Sequence, residues 1–291
     1  MTRGIERGLP FLWKFSNLGI VVGVRLKLVL RGGTTMAKKF LWVLVFFVFT
    51  PCIAFAQRDV RLEFEGRFWF TDLDGRVKVT DADLGTDINL KKDLDLKDEG
   101  YPEVRFTWYT GTKSKIRVAY TQVGYEGNAN LQRAILFDGV TYPSGTRVET
   151  DLDIKYLRVG WAWQFIQIDK GLIKLGTLVE GKGFWTKTTL EAPDVVPAIR
   201  EKGRFLFALP TVGAALDINP HKMLNLFAEG SGLPAGKYGY MYDVEAGLKF
   251  IPIKILSIVG GYRLMEFKAK DDRDFAKARV YGPFVGVTVR F

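Results

Sequence analysis

Apolar and polar residues alternate strictly along the first stretch after Gln57. The apolar positions are Val60, Leu62, Phe64, Phe68 and Phe70, and the polar positions between them are Arg61, Glu63, Glu65 and Arg67. Side chains of a strand point alternately to its two faces, so this pattern predicts a strand with one apolar and one polar face. The end of the chain repeats the pattern, with Tyr281, Val285, Val287, Val289 and Phe291 on one face.

Eight further segments between these two are predicted as strands, near 102–110, 115–126, 147–164, 172–186, 203–217, 223–230, 238–250 and 255–268. Short links are expected at 110–114, 167–171, 219–222 and 251–254. Longer links alternate with them at 72–101, 127–146, 187–202 and 269–277, with one short exception in this second set at 231–237. This order of short and long links is typical of outer-membrane barrels, with the short turns in the periplasm. The strand at 147–164 changes its apolar parity at Tyr156-Leu157, which indicates a bulge or a strand that continues beyond the bilayer.

No apolar run after Gln57 approaches the roughly 18 residues that a spanning helix needs, so the chain can span a membrane only as a closed sheet. A soluble sandwich could show the same alternation, but two observations favour a membrane. Tyr281, Val287, Val289 and the terminal Phe291 resemble the signal read by the outer-membrane assembly machinery. Several aromatic residues lie near predicted strand ends, as in the girdles at a lipid–water boundary. These residues are Trp108, Tyr109, Trp161, Trp163, Trp185, Tyr262 and Phe267.

The segment before Gln57 has the three parts of a secretory signal. Met36-Ala37-Lys38-Lys39 is a basic start, 40–50 is apolar, and Ala54-Phe55-Ala56 is a small-x-small cleavage site. We predict a signal peptide at 36–56, a barrel domain at 57–291, and an N-terminal extension at 1–35 that arises from an over-extended gene model. The single cysteine, Cys52, lies in the signal, so the chain after it has no cysteine and no disulfide. The residues before Cys52 are not the small ones that lipid attachment requires.

The net charge of +10 suggests nucleic-acid binding until it is divided along the chain. Residues 1–56 hold eight Lys/Arg and one Glu, which leaves 34 basic and 31 acidic residues in 57–291. A barrel domain with a net charge of +3 has little electrostatic basis for binding nucleic acid.

Two longer links carry motifs that resemble a family of largely uncharacterised proteobacterial outer-membrane β-barrel proteins. The first motif is Gly85-Thr86-Asp87-Ile88-Asn89-Leu90, followed by Asp93-Leu94-Asp95-Leu96. The second is Gly127-Asn128-Ala129-Asn130-Leu131, followed by Arg133 and by residues 137–148. The resemblance covers about residues 58–180. It implies the location and the fold, and it carries no catalytic residues to transfer.

Catalytic chemistry has little support in the barrel domain. Small outer-membrane enzymes generally use a histidine at the rim as a base. The only histidine, His221, lies in a predicted periplasmic turn between Pro220 and Lys222. We therefore predict that the protein is not an enzyme.

The acidic first link is a candidate calcium loop. Asp81, Asp83 and Asp87 surround a glycine bend, and Asp93, Asp95, Asp98 and Glu99 follow. Calcium takes six to eight oxygen ligands, which clustered carboxylates supply. The glycine is misplaced for the helical calcium loop, and a solvated loop is the default interpretation. No other cofactor is expected.

The polar strand faces predict a charged lumen. If the apolar faces contact lipid, the interior receives charges of both signs: Glu63, Glu65, Arg67, Glu103, Arg105, Arg117, Glu180, Lys182, Asp243, Glu245, Lys249 and Arg263. Side chains fill most of a barrel of eight to ten strands. Mixed charges in a narrow interior favour a paired network over a wide diffusion pore.

Together these patterns predict an all-β, transmembrane, antiparallel up-and-down barrel in the outer membrane. It has ten strands, with eight or twelve as alternatives, and it is monomeric or weakly associated. The leading hypothesis is a non-enzymatic protein of structural or surface-interaction type, whose outer loops contact lipopolysaccharide, ligands or envelope partners. The alternative is a narrow channel that passes ions or a small solute through the charged lumen.

Overall fold

The computed structural model describes residues 61–78, 86–137, 140–195, 199–271 and 274–291. The predicted extension at 1–35 and signal peptide at 36–56 lie outside these residues. Within the described ranges, no helix is long and apolar enough to cross a membrane.

Ten long strands make up the barrel, and three short ones lie in the first two long connections. The long strands are β1 (Leu62–Lys78), β3 (Glu99–Tyr109), β4 (Ser114–Asn130), β7 (Arg147–Ile168), β8 (Ile173–Ala192), β9 (Ile199–His221), β10 (Leu224–Pro234), β11 (Gly239–Ile253), β12 (Leu256–Asp271) and β13 (Asp274–Arg290). The short strands are β2 (Ile88–Asn89), β5 (Ile135–Phe137) and β6 (Val140–Tyr142).

Each long strand pairs antiparallel with the next, and β13 pairs with β1 to close the sheet. The seam continues to the last residue, because the backbone N–H of Phe291 donates to the carbonyl of Leu62 at 2.9 Å. The N–H of Arg61 donates in return to the carbonyl of Phe291 at 2.9 Å. A closed barrel leaves no sheet edge in lipid, and the predicted ten-stranded barrel is confirmed.

The strands are staggered around the barrel. Following opposite residues from Leu62 once around the sheet returns to β1 at Asp74, twelve residues further along. Such a stagger tilts the strands by roughly 35–45° from the barrel axis. Residues directly opposite on neighbouring strands therefore lie at different depths in the membrane.

Apolar side chains cover the outside of the barrel, as a surface in contact with lipid requires. Among the predicted girdle residues, Trp108, Trp161, Trp163, Trp185 and Tyr262 point outward and are exposed. The predictions for two residues were wrong. Tyr109 points inward and donates to Glu63 at 3.3 Å, and Phe267 packs inside against Phe207. Both have the inward parity of their strands, which nearness to a strand end does not reveal.

β7 explains the parity change at Tyr156-Leu157. Its pairing with β4 and β8 is regular through this point, so the bulge alternative was wrong there; the irregularity lies between Gln164 and Ile166. Below Leu157 the apolar residues point outward, whereas above it Val148 and Tyr156 are buried inside. The strand leaves the lipid at this level, and the apolar side chains then turn away from water.

Several strands extend further than their apolar pattern indicates. β8 and β9 continue to Ala192 and from Ile199, so the long link predicted at 187–202 is short, and β12 and β13 likewise shorten the link predicted at 269–277. These extensions alternate less clearly because their outer face is polar and meets water.

The described parts of the first two long connections fold back on the barrel as one unit, here named the outer cap (86–98, 131–137 and 140–146). The first fills the gap that the short β3 leaves between β1 and β4: Leu90 N–H donates to the Gly75 carbonyl at 2.9 Å, and Lys97 N–H to the Glu126 carbonyl at 3.3 Å. A hydrogen bond joins the two connections, since the Thr86 N–H donates to the Leu136 carbonyl at 3.2 Å. Apolar residues hold the cap in place: Ile88, Leu94, Leu96, Leu131, Ile135 and Tyr142 are all buried.

Candidate functional site

Charged side chains from eight strands meet inside the barrel and form one connected cluster, here named the lumen network. Six are cations and six are anions, and none is more than 8% exposed. The members are Glu65, Arg67, Glu103, Arg105, Arg117, Arg158, Glu180, Lys182, Glu229, Asp243, Glu245 and Arg263.

Asp243 on β11 is one centre of the network. Arg263 donates to both of its carboxylate oxygens, at 2.9 Å from Nε and 2.8 Å from Nη2. Lys182 donates to it at 3.2 Å and the Tyr156 hydroxyl at 2.9 Å, while Arg158 lies 3.5 Å away. Several donors thus converge on one carboxylate, which a charge removed from water requires.

Glu245, two residues further along β11, is the second centre. Arg105 approaches from β3 across the lumen and donates from Nη1 and Nη2 to the two oxygens, both at 2.9 Å. Arg67 donates at 3.2 Å, and Arg158 lies 3.6 Å away. A two-pronged Arg–carboxylate contact is among the strongest that side chains make, so it ties opposite walls of the barrel together.

The remaining members extend the network toward both walls. Arg263 also donates to Glu103 at 2.5 Å, and Arg117 donates to Glu229. Toward the periplasmic end, Lys249 and Arg290 donate to Glu63 at 2.6 and 3.0 Å.

A row of aromatic rings closes the lumen above the network. Tyr156, Phe184, Phe207 and Phe267 stack in this order, with ring centres 4.5, 4.7 and 5.5 Å apart. The Arg263 guanidinium lies 4.7 Å from the centre of the Trp69 ring, so this ring also covers the network. Because the network side chains have almost no contact with water, the described part of the lumen is closed at this level.

Below the network, a cavity of about 700 Å³ opens toward the periplasmic turns. Arg67, Arg105 and Arg117 line its closed inner end, and Lys113 and Arg290 lie near its opening. The cavity ends blindly at the lumen network. It is a vestibule rather than part of a continuous passage.

All twelve predicted lumen charges point inward, and the structure brings most of them into the network. Glu63 and Lys249 line the vestibule next to it. The sequence analysis missed Arg158 and Glu229. Arg158 alternates with the outward Val159, Trp161 and Trp163, a signal that the parity change at Tyr156-Leu157 obscured. Glu229 lies on a strand whose small outward residues, Ala228 and Gly230, give weak alternation.

The predicted assembly residues lie on the closing strand. Val285 and Val287 point outward and are exposed to the lipid side, while Tyr281 lies opposite Asp72 near the outer end of β1. Phe291 forms the end of the seam with Leu62. Their role in assembly stays a prediction.

The proposed calcium loop is only partly described, since Asp81 and Asp83 lie outside the described residues. The Asp87 backbone carbonyl accepts from Arg133 at 2.5 Å, and the Asp93 carboxylate accepts from the same guanidinium at 2.8 Å. Over the described ranges, no group of three or more His, Cys, Asp or Glu side chains is placed to hold a metal ion. Arg133 therefore links the two connections of the outer cap, and calcium binding stays a prediction.

Ion pairs in the outer cap predict that its first connection loosens in acid. Burial raises the pKa of Asp93, but hydrogen bonds from Arg133 and from the Asn89 backbone outweigh burial and hold this pKa below its usual value. The pKa of Asp98 is also lowered despite burial, chiefly because Lys91 donates to its carboxylate. A lowered pKa means stability that is complete above the unfolded value of about 4 and is lost below it. We expect pepsin to cut within 88–98 increasingly between about pH 4 and pH 2.

Arg133→Gln provides the matched comparison, because it removes the partner of Asp93 and leaves the carboxylate. In this variant the onset of cleavage should move to higher pH. Cleavage that is independent of pH, or unchanged in Arg133→Gln, would contradict a role of these pairs in holding the connection.

His221 lies at the periplasmic end, where β9 turns into β10. Its side chain is exposed, and its Nδ1 accepts from the Met223 backbone N–H at 3.2 Å. This ring is at the opposite end of the barrel from the outer cap.

A closed antiparallel barrel with an apolar outer surface, short turns at one end and longer connections at the other defines an integral protein of the bacterial outer membrane. No protein-family model and no curated protein matches the sequence. Solved structures similar to the chain include the outer-membrane protease OmpT from Escherichia coli, at 10% identity and a TM-score of 0.53, covering 81% of this chain and 99% of that one.

Two further structures show weaker similarity. The translocator domain of the autotransporter NalP from Neisseria meningitidis is 8% identical, with a TM-score of 0.46 and coverage of 89% of this chain and 97% of that one. The attachment invasion locus protein Ail of Yersinia pestis is 12% identical, with a TM-score of 0.35 and coverage of 80% and 100%. The likeness to OmpT supports the barrel fold and carries no activity over to this chain.

Proposed function

We propose that this protein is a non-enzymatic, monomeric outer-membrane protein whose outer surface contacts lipopolysaccharide, ligands or envelope partners. Residues 36–56 direct its export, and the outer-membrane assembly machinery reads Tyr281, Val287, Val289 and Phe291. The lumen network, in this proposal, holds the barrel rigid from within.

The outer cap is the observation that carries this proposal. Its two connections are joined to each other by Arg133 and by the Thr86–Leu136 backbone bond, and they rest on β1 and β4. A loop that moves freely has few buried apolar contacts, whereas this unit buries six apolar side chains. Connections ordered in this way present a fixed surface to the outside, which suits recognition.

The position of the histidine supports a role without catalysis. The chain contains one histidine, His221, in the periplasmic turn. Among the described residues, no acid or nucleophile is bonded to its ring, which accepts from the Met223 backbone N–H. Outer-membrane hydrolases that use a rim histidine would need such a base at the other end of the barrel.

The alternative function is a narrow channel through the charged lumen. Its support is the blind vestibule, which brings periplasmic water as far as Arg105 and Glu229. Passage beyond this point requires the contacts of Glu245 and Asp243 to separate. The closed network therefore favours the surface role.

Single-channel recording in a planar bilayer distinguishes the two functions. We expect the inserted wild-type protein to pass no steady current, because the network and the aromatic row leave no water-filled path. Glu103→Gln and Arg105→Gln should also be silent. A steady conductance that changes in either variant would make the lumen the functional site and would favour the channel.

Silence is informative only if the protein is inserted. The barrel domain has no cysteine, so Ser144→Cys in the exposed part of the outer cap gives one reactive thiol. Labelling of Ser144→Cys by an impermeant maleimide from one side of the same membrane shows that the recorded protein spans it. A membrane that is labelled and silent supports the surface role.

A further inference from the structure

The outer wall of the barrel has a notch above β10. β10 pairs with β9 only as far as Gly232 opposite Val212, whereas β9 continues to Ile199 and pairs there with β8 alone. The connection from β10 to β11 is short and spans 235–238. Among the described residues, the backbone of β9 from Ile199 to Thr211 therefore has a free edge on the side of the notch.

The lipid boundary crosses β8 and β9 at this notch. Along the outer face of β8, the exposed apolar residues Val179 and Trp185 are followed by Lys187. Along β9, Val212 and Leu206 are followed by Arg204 and then Lys202. The side chains change from apolar to cationic where the barrel leaves the acyl chains, so the cations lie at the level of the lipid headgroups.

Among the residues that the structure describes, these cations lack anionic partners. Lys187 and Arg204 are directly opposite each other on neighbouring strands, an arrangement that is destabilising unless an anion is shared. Across the described chain, Lys187, Lys202 and Arg204 form no ion pair. Asp153 lies opposite Lys187 on its other side, and its carboxylate accepts from Gln122 at 3.2 Å instead.

The far side of the barrel shows the contrasting arrangement. There Glu266 accepts from Arg279 at 2.6 Å and lies 3.3 Å from Lys277, and the hydroxyls of Tyr240 and Tyr242 donate to it at 2.5 and 2.8 Å. Basic residues at the outer boundary thus share a carboxylate on this side of the barrel. On the β8/β9 side, Glu191 pairs with Arg200 at 3.1 Å, further out than Lys187, Lys202 and Arg204.

We propose that the free edge of β9, together with Lys187, Lys202 and Arg204, binds the phosphorylated sugar head of a lipid of the outer leaflet. The phosphate lies between Lys187 and Arg204, the sugar hydroxyls meet the free backbone groups of β9, and the acyl chains pack on Trp185 and Leu206. This site deepens the proposed surface role and rests on it. It lies on the barrel wall and not on the outer cap.

An extended acidic peptide is the other ligand that would suit a free strand edge with cations. The lipid is favoured because the edge crosses the membrane boundary between Leu206 and Arg204, and the residues below the cations are apolar and exposed. A second copy in the same membrane does not fit. Both copies of β9 would run in the same direction, which excludes an antiparallel ladder, and their opposed tilts would make the two strands cross instead of pairing in parallel.

Native mass spectrometry of the protein, as isolated from the outer membrane of an expressing bacterium, tests this proposal. The probes are lipid A with two phosphates and the same lipid after enzymatic dephosphorylation. We expect one molecule of phosphorylated lipid A to bind, with an affinity about tenfold or more above that of the dephosphorylated lipid. Lys187→Gln with Arg204→Gln should abolish this preference.

The matched control is Lys277→Gln with Arg279→Gln, which removes two cations from the outer boundary that already share Glu266. We expect it to keep the phosphate preference within about twofold. Equal binding of both lipids by the wild type, or an equal loss in both double variants, would overturn the site. Binding of a glutamate-rich extended peptide that is lost only in Lys187→Gln/Arg204→Gln, with lipid binding unchanged, would assign the edge to a peptide.

Failure of this site is separable from failure of the surface role. The double variants leave the outer cap intact, so loss of the lipid site leaves the recording of a silent membrane unchanged. A conducting wild type would refute the surface role whether or not lipid A binds.

Discussion

Replacing Glu245 with Gln is expected to lower the free energy of unfolding of the barrel by about 3–5 kcal/mol. The amide keeps the size of the side chain but removes the charge that Arg67, Arg105 and Arg158 share. The network then has one cation in excess, in a region with almost no access to water. A buried charge without a partner is costly, because its desolvation is no longer offset.

Urea unfolding in phospholipid vesicles, followed by tryptophan fluorescence, measures this effect. Glu149→Gln is a suitable control, since Glu149 pairs with Arg147 at an exposed site and should matter little. The double variant Arg105→Gln/Glu245→Gln restores the balance of charge, so its loss should be smaller than the sum of the two single losses. Additive losses, or a loss below about 1 kcal/mol for Glu245→Gln, would contradict a coupled network.

Phe184→Ala is expected to lower the free energy of unfolding by about 3–5 kcal/mol. Phe184 is buried between two rings, with Tyr156 on one side and Phe207 on the other. Truncation removes both stacks and leaves a cavity directly above the lumen network. The loss of contacts adds to the cavity, because stacked rings contribute beyond their buried area.

The same unfolding measurement checks this variant. Phe184→Leu fills much of the space and should lose clearly less than Phe184→Ala, since the cavity is smaller. Equal losses in the two variants would mean that ring stacking, and not the filled volume, holds this layer together. A loss below about 1 kcal/mol in Phe184→Ala would show that the aromatic row does not support the barrel.

Strand number and inward charges could be predicted because lipid imposes a simple alternation. Within the bilayer every outward side chain meets acyl chains, so the apolar set and the outward set coincide. The sequence therefore indicated Glu103, Arg105 and Glu245 as inward residues from parity alone. Which of these meet across the lumen depends on the stagger of the strands, and one sequence does not contain this information.

Above the membrane, the alternation of apolar and polar residues no longer indicates which side chains point outward. There the outer face meets water, so apolar residues such as Val148 point inward and the parity of β7 inverts without any change in backbone pairing. The inversion hid Arg158, which lies two residues below the last buried aromatic of that strand. For the same reason, the outer extensions of β8 and β9 alternate less clearly, so both strands were predicted too short. These extensions form the notch.

The seam between β1 and β13 has a consequence for the order of folding. Glu63 and Arg290 lie opposite each other across the largest separation in sequence of the described strand pairs. Such distant contacts form late because chain entropy opposes them. Contacts across the seam include the bond from Thr288 to Glu65. Until the seam forms, water has access to the interior charges from the open side of the sheet. We therefore expect dehydration of the interior and closure of the sheet to be one cooperative step, the last in barrel formation.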